Sequence, residues 1–206
     1  MNRPEGIRTV NEKIWVSQFT DLIPETLICR YMTAFQDFLA QHNSIIVKPT
    51  DGYGGQSIFH LNKDDKNATV LFETLSECGT KPLILQNYIP EAKLGDKRIL
   101  LLEGDPLGAL LRVHPEHDHR NNFFSGGVPK KTTITKNDKK IIKTLKPYLK
   151  KLGLSFVGID IIGDYLIEVN VTSPTCIQEM NMLYNKNFED KVIRFTEKYI
   201  KQAKKT

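Results

Sequence analysis

The chain has 206 residues, of which 40% are hydrophobic and 26% are charged, values that favour a soluble globular protein over a disordered or fibrous one. Its net charge of +5 comes largely from lysines near residues 139–151 and 198–205, without interleaved aromatic residues, so we expect no nucleic acid binding. Three widely spaced cysteines, no signal sequence and no long apolar run predict a cytoplasmic protein without disulfides, a zinc site or membrane contact.

The first half of the chain alternates helices and strands. Apolar periodicity predicts helices over residues 11–19, 32–42 and 68–77. Short apolar runs predict strands over residues 45–48, 57–61 and 83–88, with a glycine-rich turn over 51–55 between the first two strands.

The second half begins with two predicted strands, 98–102 and 107–113. A polar loop over residues 114–131 follows, and we expect it to be mobile until a substrate arrives because it buries little. Thr135 or a neighbour caps a helix that ends near residue 152, and a last helix spans about 188–203. Mixed hairpins and helices predict an α+β fold rather than a doubly wound parallel sheet.

The stretch from Asp160 to Thr175 predicts two strands joined by a Gly163-Asp164 turn. Along the second strand Ile167, Val169 and Val171 alternate with Glu168 and Asn170, so an apolar face backs two oxygen-bearing side chains. With Asp160 from the preceding strand, these oxygens suit Mg²⁺. A solvated strand face is the alternative, and the hydroxyl-rich turn Thr172-Ser173-Pro174-Thr175 weighs against it.

The segment Asp51 to Ser57 is a flexible glycine loop after the strand that ends at Lys48. Glycines let backbone N–H groups approach a phosphate, although a plain hairpin turn fits the loop equally well. The loop is not a Walker motif, because no Gly-Lys-Ser/Thr follows it. Lys48 favours the phosphate interpretation, since it places an ammonium beside the loop.

The strand that runs into Gln86, Asn87, Tyr88 and Ile89 ends at a proline. Such a strand end can offer backbone groups to an adenine ring, although a core strand explains the pattern as well. Arg98 opens the next strand, and Arg120 lies in the long loop, where a guanidinium suits a phosphate or a carboxylate. Surface arginines are the alternative.

Taken in order, these motifs resemble the ATP-grasp portion of prokaryotic-type glutathione synthetases, from about residue 11 to residue 180. The resemblance rests on runs that include the following: Asn11-Glu12-Lys13; Lys48-Pro49 with Asp51-Gly52 and Gly54-Gly55; Gln86-Asn87-Tyr88 with Pro90; Gly95-Asp96-Lys97-Arg98; Arg120 with Asn122; Val157-Gly158 with Asp160 to Asp164; and Glu168 with Asn170 to Cys176.

The resemblance implies a role for each matched residue. ATP would be bound by two lysines, the glycine loop, the adenine hinge and one aspartate: Lys13, Lys48, Gly52, Gly54, Gly55, Gln56, Ser57, Gln86, Asn87, Tyr88, Ile89 and Asp96. A metal, Mg²⁺ or Mn²⁺, would be held by Asp160, Glu168 and Asn170. The peptide substrate or its phosphorylated intermediate would contact Arg98, Arg120, Ser173, Pro174 and Thr175, and the two arginines would also act in catalysis.

The implied fold is an ATP-grasp unit over residues 1–206, with a small lobe at about 20–88 and a large lobe at about 89–206. The implied reaction joins γ-glutamylcysteine to glycine at the expense of ATP, through an acyl phosphate. Family members carry a further N-terminal domain, and this sequence starts just before the ATP-grasp unit, so we expect a complete ATP site and weak or absent ligation by the chain alone. A nucleotide-binding module without ligase activity, one chain of a split ligase, and a homo-oligomer stay open.

Overall fold

The computed structural model describes residues 1–52, 54–114 and 126–203 of the chain. The strands of these ranges form two antiparallel sheets, each with a hydrophobic core of its own. The helices are α1 (Pro4–Thr9), α2 (Met32–Gln41), α3 (Ala68–Leu75), α4 (Lys136–Leu152), α5 (Ile177–Tyr184) and α6 (Glu189–Ala203). The strands are β1 (Thr26–Cys29), β2 (Ser44–Pro49), β3 (Phe59–Asn62), β4 (Leu83–Asn87), β5 (Asp96–Leu102), β6 (Asp105–Val113), β7 (Val128–Lys131), β8 (Phe156–Ile162) and β9 (Tyr165–Asn170).

The small lobe is the four-stranded sheet of order β1-β4-β2-β3 together with α2 and α3. Alternate residues of its central strands, such as Val47 and Leu85, are fully buried against the two helices. Because side chains alternate along a strand, Ile46, Lys48 and Gln86 lie on the opposite face. That face turns toward the second sheet and lines a cleft.

The large lobe is the five-stranded sheet of order β7-β6-β5-β8-β9 with α4, α5 and α6. One face packs on α4 through residues such as Leu145 and Leu149, and the N-terminal segment around Val16 completes this core. The other face packs on α5 around Leu100 and Met180. Arg98 belongs to that second face, because it lies two residues before Leu100 along β5. Asp160 is the cross-strand partner of Arg98 and lies on the same face.

A β-bulge in β9 changes which of its residues face the core. Asp160 pairs with Glu168 but Ile161 pairs with Leu166, so Ile167 is the extra residue of the pair of strands. The predicted alternation was therefore wrong at Ile167. Leu166 is fully buried in the core in its place, and Ile167 lines the cleft beside Glu168.

Two other predicted segments were wrong. Residues 11–19 form a turn and a short 3-10 helix, Trp15–Gln18, and the Asn11 side-chain oxygen caps the turn by accepting the N–H groups of Lys13 and Ile14. The long loop was expected to reach residue 131, but Val128–Lys131 forms strand β7 beside β6. Lysine and proline are common on such an edge strand. Residues 115–125 of that loop lie outside the described residues.

The predicted helix over 68–77 ends at Leu75, and Glu77 has the left-handed φ of 49°. The predicted strand over 57–61 begins at Phe59, because Ser57 has a left-handed φ of 55° that no strand accommodates. The cap of α4 is confirmed: Thr135 and Asp138 form a reciprocal capping box. In the described part of the chain, no helix combines the length and the apolar character needed to cross a membrane.

Candidate active site

A deep cleft separates the two lobes, and both contribute its walls. Its inner part encloses about 830 Å³ of empty space, including the opening to solvent. An outer part of about 1380 Å³ continues from it, and the two parts share Lys13, Asp160 and Glu168. Polar groups thus meet where the parts join.

Lys48 brings an ammonium into the inner cleft from β2. Only 4% of the residue is exposed, and its Nζ donates to Gln86 Oε1 at 3.1 Å. Burial lowers the pKa of Lys48 to about 8, although the charge of Glu168 opposes this effect; the nearby charge of Lys13 adds to it. An anionic ligand in the cleft would therefore be favoured, because it would compensate the poorly solvated charge of the Lys48 ammonium.

Lys13 supplies a second ammonium to the same region. Its Nζ donates to the backbone carbonyl of Gly52 at 2.6 Å and lies 3.6 Å from Glu168 Oε1. Its neighbour Asn11 donates from Nδ2 to the carbonyl of Thr50 at 3.0 Å. The segment 11–13 therefore reaches from the large lobe to the base of the glycine loop.

The glycine loop borders the outer cleft with Gly52, Gly54, Gly55 and Gln56. The φ angle of Gly52 is 91°, and a Cβ at that position would meet open space, so the backbone there is exposed to a ligand. Tyr53 lies outside the described residues, and Ser57 does not line either part of the cleft.

The three predicted metal ligands converge across the β8–β9 pair. Asp160 and Glu168 are direct cross-strand partners, and Asn170 Nδ2 lies 3.4 Å from Asp160 Oδ2. Two carboxylates and an amide are hard oxygen donors, and they fit a small divalent cation that takes its other ligands from phosphate and water. In the described ranges no group of three or more His, Cys, Asp and Glu residues forms a candidate metal site.

Asp160 also belongs to a connected cluster of four buried charges with Asp96, Arg98 and Arg112. Arg98 donates from Nε and Nη2 to the two oxygens of Asp160, and Arg112 donates from Nη2 to Asp160 at 3.0 Å. Arg112 also forks on Asp96, at 2.5 and 2.7 Å. Arg98 thus contacts Asp160 directly, whereas Asp96 is joined to Asp160 through Arg112, a residue that the sequence analysis missed.

The pKa values of Asp160 and Glu168 are shifted in opposite directions. Burial alone would raise the pKa of Asp160, but the charges of Arg112 and Arg98 outweigh it and hold that pKa well below its usual range. The pKa of Glu168 is raised, first by burial and then by the charge of Asp160, against the lowering effect of Lys13. A cation beside Glu168 would stabilise its ionised form.

The predicted adenine hinge lines the inner cleft with Gln86, Asn87, Tyr88 and Ile89. The N–H groups of Asn87 and Tyr88 already donate to the carbonyls of Glu25 and Ser44, at 2.9 and 3.1 Å. Adenine contacts from those two residues would therefore come from other atoms. Apolar walls are supplied from both lobes, by Ile46, Ile58, Ala92, Ile162 and Ile167.

The turn after β9 is held by Glu12. Its Oε1 accepts the N–H groups of Val171 and Thr172, at 2.7 and 2.8 Å. Ser173 and Thr175 line the outer cleft, whereas Pro174 does not and packs near Gly158 instead. Cys176 is buried and burial raises the pKa of its thiol, as expected for a packing residue rather than a nucleophile.

Comparison with known proteins identifies this arrangement. Residues 12–185 match the family described as prokaryotic glutathione synthetase, ATP-grasp domain. The chain is 43% identical to the glutathione synthetase of Gloeobacter violaceus over 203 residues, which cover 98% of this chain and 63% of that protein. It is 45% identical to the glutathione synthetase of Escherichia coli K12 over 181 residues, 87% of this chain and 57% of the relative.

The chain belongs to the prokaryotic glutathione synthetase ATP-grasp family. It spans about three fifths of the length of the curated relatives that it matches.

Solved structures support the fold. A D-alanine–D-alanine ligase from Bacillus anthracis, solved in complex with ATP, aligns over 99% of this chain and 70% of its own with a TM-score of 0.69 and 14% identity. The D-cycloserine synthetase DcsG aligns over 84% of this chain and 66% of its own with a TM-score of 0.68 and 16% identity. At these identities the likeness shows a shared ATP-grasp fold, as the sequence predicted.

Within this family fold, all predicted site residues except three line the cleft: Arg120 lies outside the described residues, and Ser57 and Pro174 face elsewhere. Sequence reasoning missed Arg112, Glu12 and the apolar walls of the cleft. Arg112 carried a signal, because an arginine inside the apolar run of β6 requires a buried carboxylate partner. No sequence signal placed Ile167 in the wall of the cleft, because its position there depends on the β-bulge.

Proposed function

We propose that the protein binds Mg·ATP between its lobes and joins γ-glutamylcysteine to glycine, the reaction of a glutathione synthetase. The γ-phosphoryl group of ATP passes to the cysteinyl carboxylate and gives an acyl phosphate and ADP. The amine of glycine then attacks the acyl carbon, and the new amide bond forms as phosphate and a proton leave.

The observation that carries this proposal is the convergence of groups from both lobes on one cleft. Lys48 enters from the small lobe and Lys13 from the N-terminal segment, opposite the oxygens of Asp160 and Glu168. Such an arrangement matches Mg·ATP, whose phosphates need cations and whose metal needs hard oxygen ligands.

The residues would divide the work by position. The inner cleft, with its apolar walls and the segment from Gln86 to Ile89, would take adenine and ribose, and Asp96 lies at the same wall. Lys13, Lys48 and the N–H groups of Gly52, Gly54 and Gly55 would bind the phosphates.

Asp160, Glu168 and Asn170 would hold the metal. A divalent cation supplies neutralisation of phosphate charge when it is bound. Mg²⁺ fits these donors, and Mn²⁺ takes the same ligands.

The outer cleft would hold the peptide substrate and its acyl phosphate. Arg98, Ser173 and Thr175 line it, together with Arg112. Guanidinium groups suit both a carboxylate and a phosphate. Rate enhancement in such a transfer comes chiefly from positioning the carboxylate and neutralising phosphate charge, since no protein nucleophile is required.

The test measures nucleotide binding and product formation in the same preparation. Calorimetry with Mg·ATP is paired with an assay for glutathione from γ-glutamylcysteine, glycine and Mg·ATP. Glu168→Gln keeps the shape of the side chain and removes its charge, so we expect the Mg²⁺-dependent gain in ATP affinity to fall by about tenfold or more, as for the loss of an interaction with a charged group.

Glu197→Gln on the exposed surface of α6 is the matched control and should behave as the unsubstituted protein. Equal Mg²⁺ dependence in the Glu168→Gln variant would contradict the metal assignment. ATP binding without any glutathione would contradict ligation by this chain alone and would support a nucleotide-binding module or one chain of a split ligase.

A further inference from the structure

A line of hydrogen bonds crosses the cleft face of the small-lobe sheet and ends at Lys48. The Thr26 hydroxyl donates to the backbone carbonyl of Pro24 at 2.7 Å. Gln86 Nε2 donates to Thr26 Oγ1 at 3.0 Å, and Gln86 Oε1 accepts from Lys48 Nζ at 3.1 Å. Three strands contribute, because Thr26 on β1 pairs with Gln86 on β4, and β4 pairs with β2.

The carbonyl of Pro24 fixes the donor and acceptor roles along this line of hydrogen bonds. A backbone carbonyl can only accept, so the hydroxyl of Thr26 must use its single hydrogen toward Pro24. The Thr26 oxygen is then an acceptor, and only the NH₂ end of the Gln86 amide can satisfy it. The carbonyl end of Gln86 therefore faces Lys48, and that end is the one an ammonium can donate to.

We propose that Thr26 is a positioning residue for the phosphate-binding ammonium of Lys48, acting through the side-chain amide of Gln86. The inference rests on the proposed binding of ATP in the cleft. It gives the Gln86 side chain a role at the phosphate end of the nucleotide, separate from the backbone of the hinge segment.

The charges around Lys48 explain why its ammonium needs an anchor. Glu168 and Asp160 attract it, while Lys13 repels it. A lysine side chain has four flexible bonds, so without a fixed acceptor these forces would decide where the ammonium lies. The neutral oxygen of Gln86 holds one N–H on the small-lobe side, and the other two remain available to phosphate oxygens.

Removing the Thr26 hydroxyl should release this anchor. In Thr26→Val the side chain keeps its shape, but the amide of the buried Gln86 loses the acceptor of its Nε2 group. The amide is then held only by its hydrogen bond to Lys48, so the amide and the ammonium can shift together. We expect the dissociation constants of ATP and ADP to rise by about 3- to 10-fold, the effect of one lost hydrogen bond, while that of adenosine stays within about twofold.

Thr74→Val is the matched control. Its hydroxyl also donates to a backbone carbonyl, that of Val70 at 2.7 Å, and it lies in the same lobe on the exposed side of α3. Thr26→Ser keeps the hydroxyl and should therefore keep the ATP affinity of the unsubstituted protein. If the valine variant folds poorly, Thr26→Ser is compared with Thr26→Ala, provided that these two variants have equal melting temperatures.

Calorimetric titrations with ATP, ADP and adenosine decide between the outcomes. Weaker binding of ATP and ADP but not of adenosine in Thr26→Val, with normal binding in Thr26→Ser, supports the positioning role of Thr26. Equal weakening of all three ligands shows a general effect on the sheet and overturns it, as does unchanged ATP affinity in Thr26→Val. If the unsubstituted protein binds adenosine but gains nothing from the phosphates, the proposed function fails as well.

Discussion

Lys48 is a buried charged residue on strand β2, and its environment makes the ionised form of its side chain unfavourable. Burial is the main reason that its pKa falls to about 8. The hydrogen bond to Gln86 and the carboxylates of Glu168 and Asp160 compensate only part of the lost hydration. A residue placed at such a cost is expected to serve a ligand rather than the fold.

This cost predicts how stability depends on pH. The pKa of a lysine in the unfolded chain is about 10.4, so between about pH 8 and 10.4 the unfolded state binds more protons than the folded state at this position. The free energy of unfolding should therefore rise with pH in that window. From pH 7.5 to 9.5 we expect the contribution of Lys48 to be on the order of 1–2 kcal/mol.

Denaturant unfolding of the ligand-free protein and of Lys48→Met measures this contribution. Groups that titrate in both proteins cancel in the difference, so only the unsubstituted protein should show the extra rise. Lys198→Met, at an exposed position of α6, should follow the unsubstituted protein. Parallel curves for Lys48→Met and the unsubstituted protein would mean that the ammonium is well solvated.

At the scale of elements, strand β9 shows how one extra residue builds the site. The bulge turns Ile167 out of the core and into the inner cleft, and it leaves Glu168 directly across from Asp160. Regular alternation would have placed Ile167 beside Val169 in the core. The bulge thus adds an apolar wall to the cleft beside the proposed metal ligands.

The bulge predicts unequal effects of two neighbouring substitutions. Leu166 is fully buried, so Leu166→Ala should lower the free energy of unfolding by about 2–5 kcal/mol. Ile167 is only half-buried, and Ile167→Ala should cost less than half as much. Chemical denaturation of both variants measures the difference. The reverse order, with Ile167→Ala the more damaging, is what a regular strand would give.

Much of the architecture follows from local signals in the sequence. The cap at Thr135, the turn at Gly163 and the strand that ends beside Lys48 were predicted because each depends on a few adjacent residues. The sequence did not reveal β1, α1 or α5. Strand β1 has only four residues, and its pairing with β4 is a long-range contact that no local pattern encodes.

The site was predicted in its composition but not in its connections. Lys48, Asp160 and Glu168 were identified from residue type and spacing, and they line one cleft. Arg112 binds two aspartates, Asp96 and Asp160, that lie on other strands. The hydrogen bond between Thr26 and Gln86 likewise joins two strands. Such contacts arise only when the sheets form, because strand pairing and register decide which side chains meet.

At the scale of the whole molecule, the two lobes have separate hydrophobic cores. The segment 11–13 links them, through Asn11 to Thr50 and through Lys13 to Gly52, while Glu12 holds the turn after β9. These contacts are polar and lie at the edge of the cleft. A ligand in the cleft would add contacts to both lobes at once.

The last prediction is that Mg·ATP protects both lobes together. The proposed site takes phosphate ligands from the small lobe and metal ligands from the large lobe, so opening either lobe would break contacts with the bound nucleotide. At about 100-fold excess over the dissociation constant, binding should stabilise the folded state by about 2.7 kcal/mol.

Hydrogen exchange followed by mass spectrometry should then show slower exchange in β2 and β4 and also in β8 and β9, with Mg²⁺ alone as the control. Protection confined to the small lobe would show that nucleotide binds without engaging Asp160 and Glu168. In that case the two lobes would not share the ligand, and the proposed metal site would be wrong even though ATP binds.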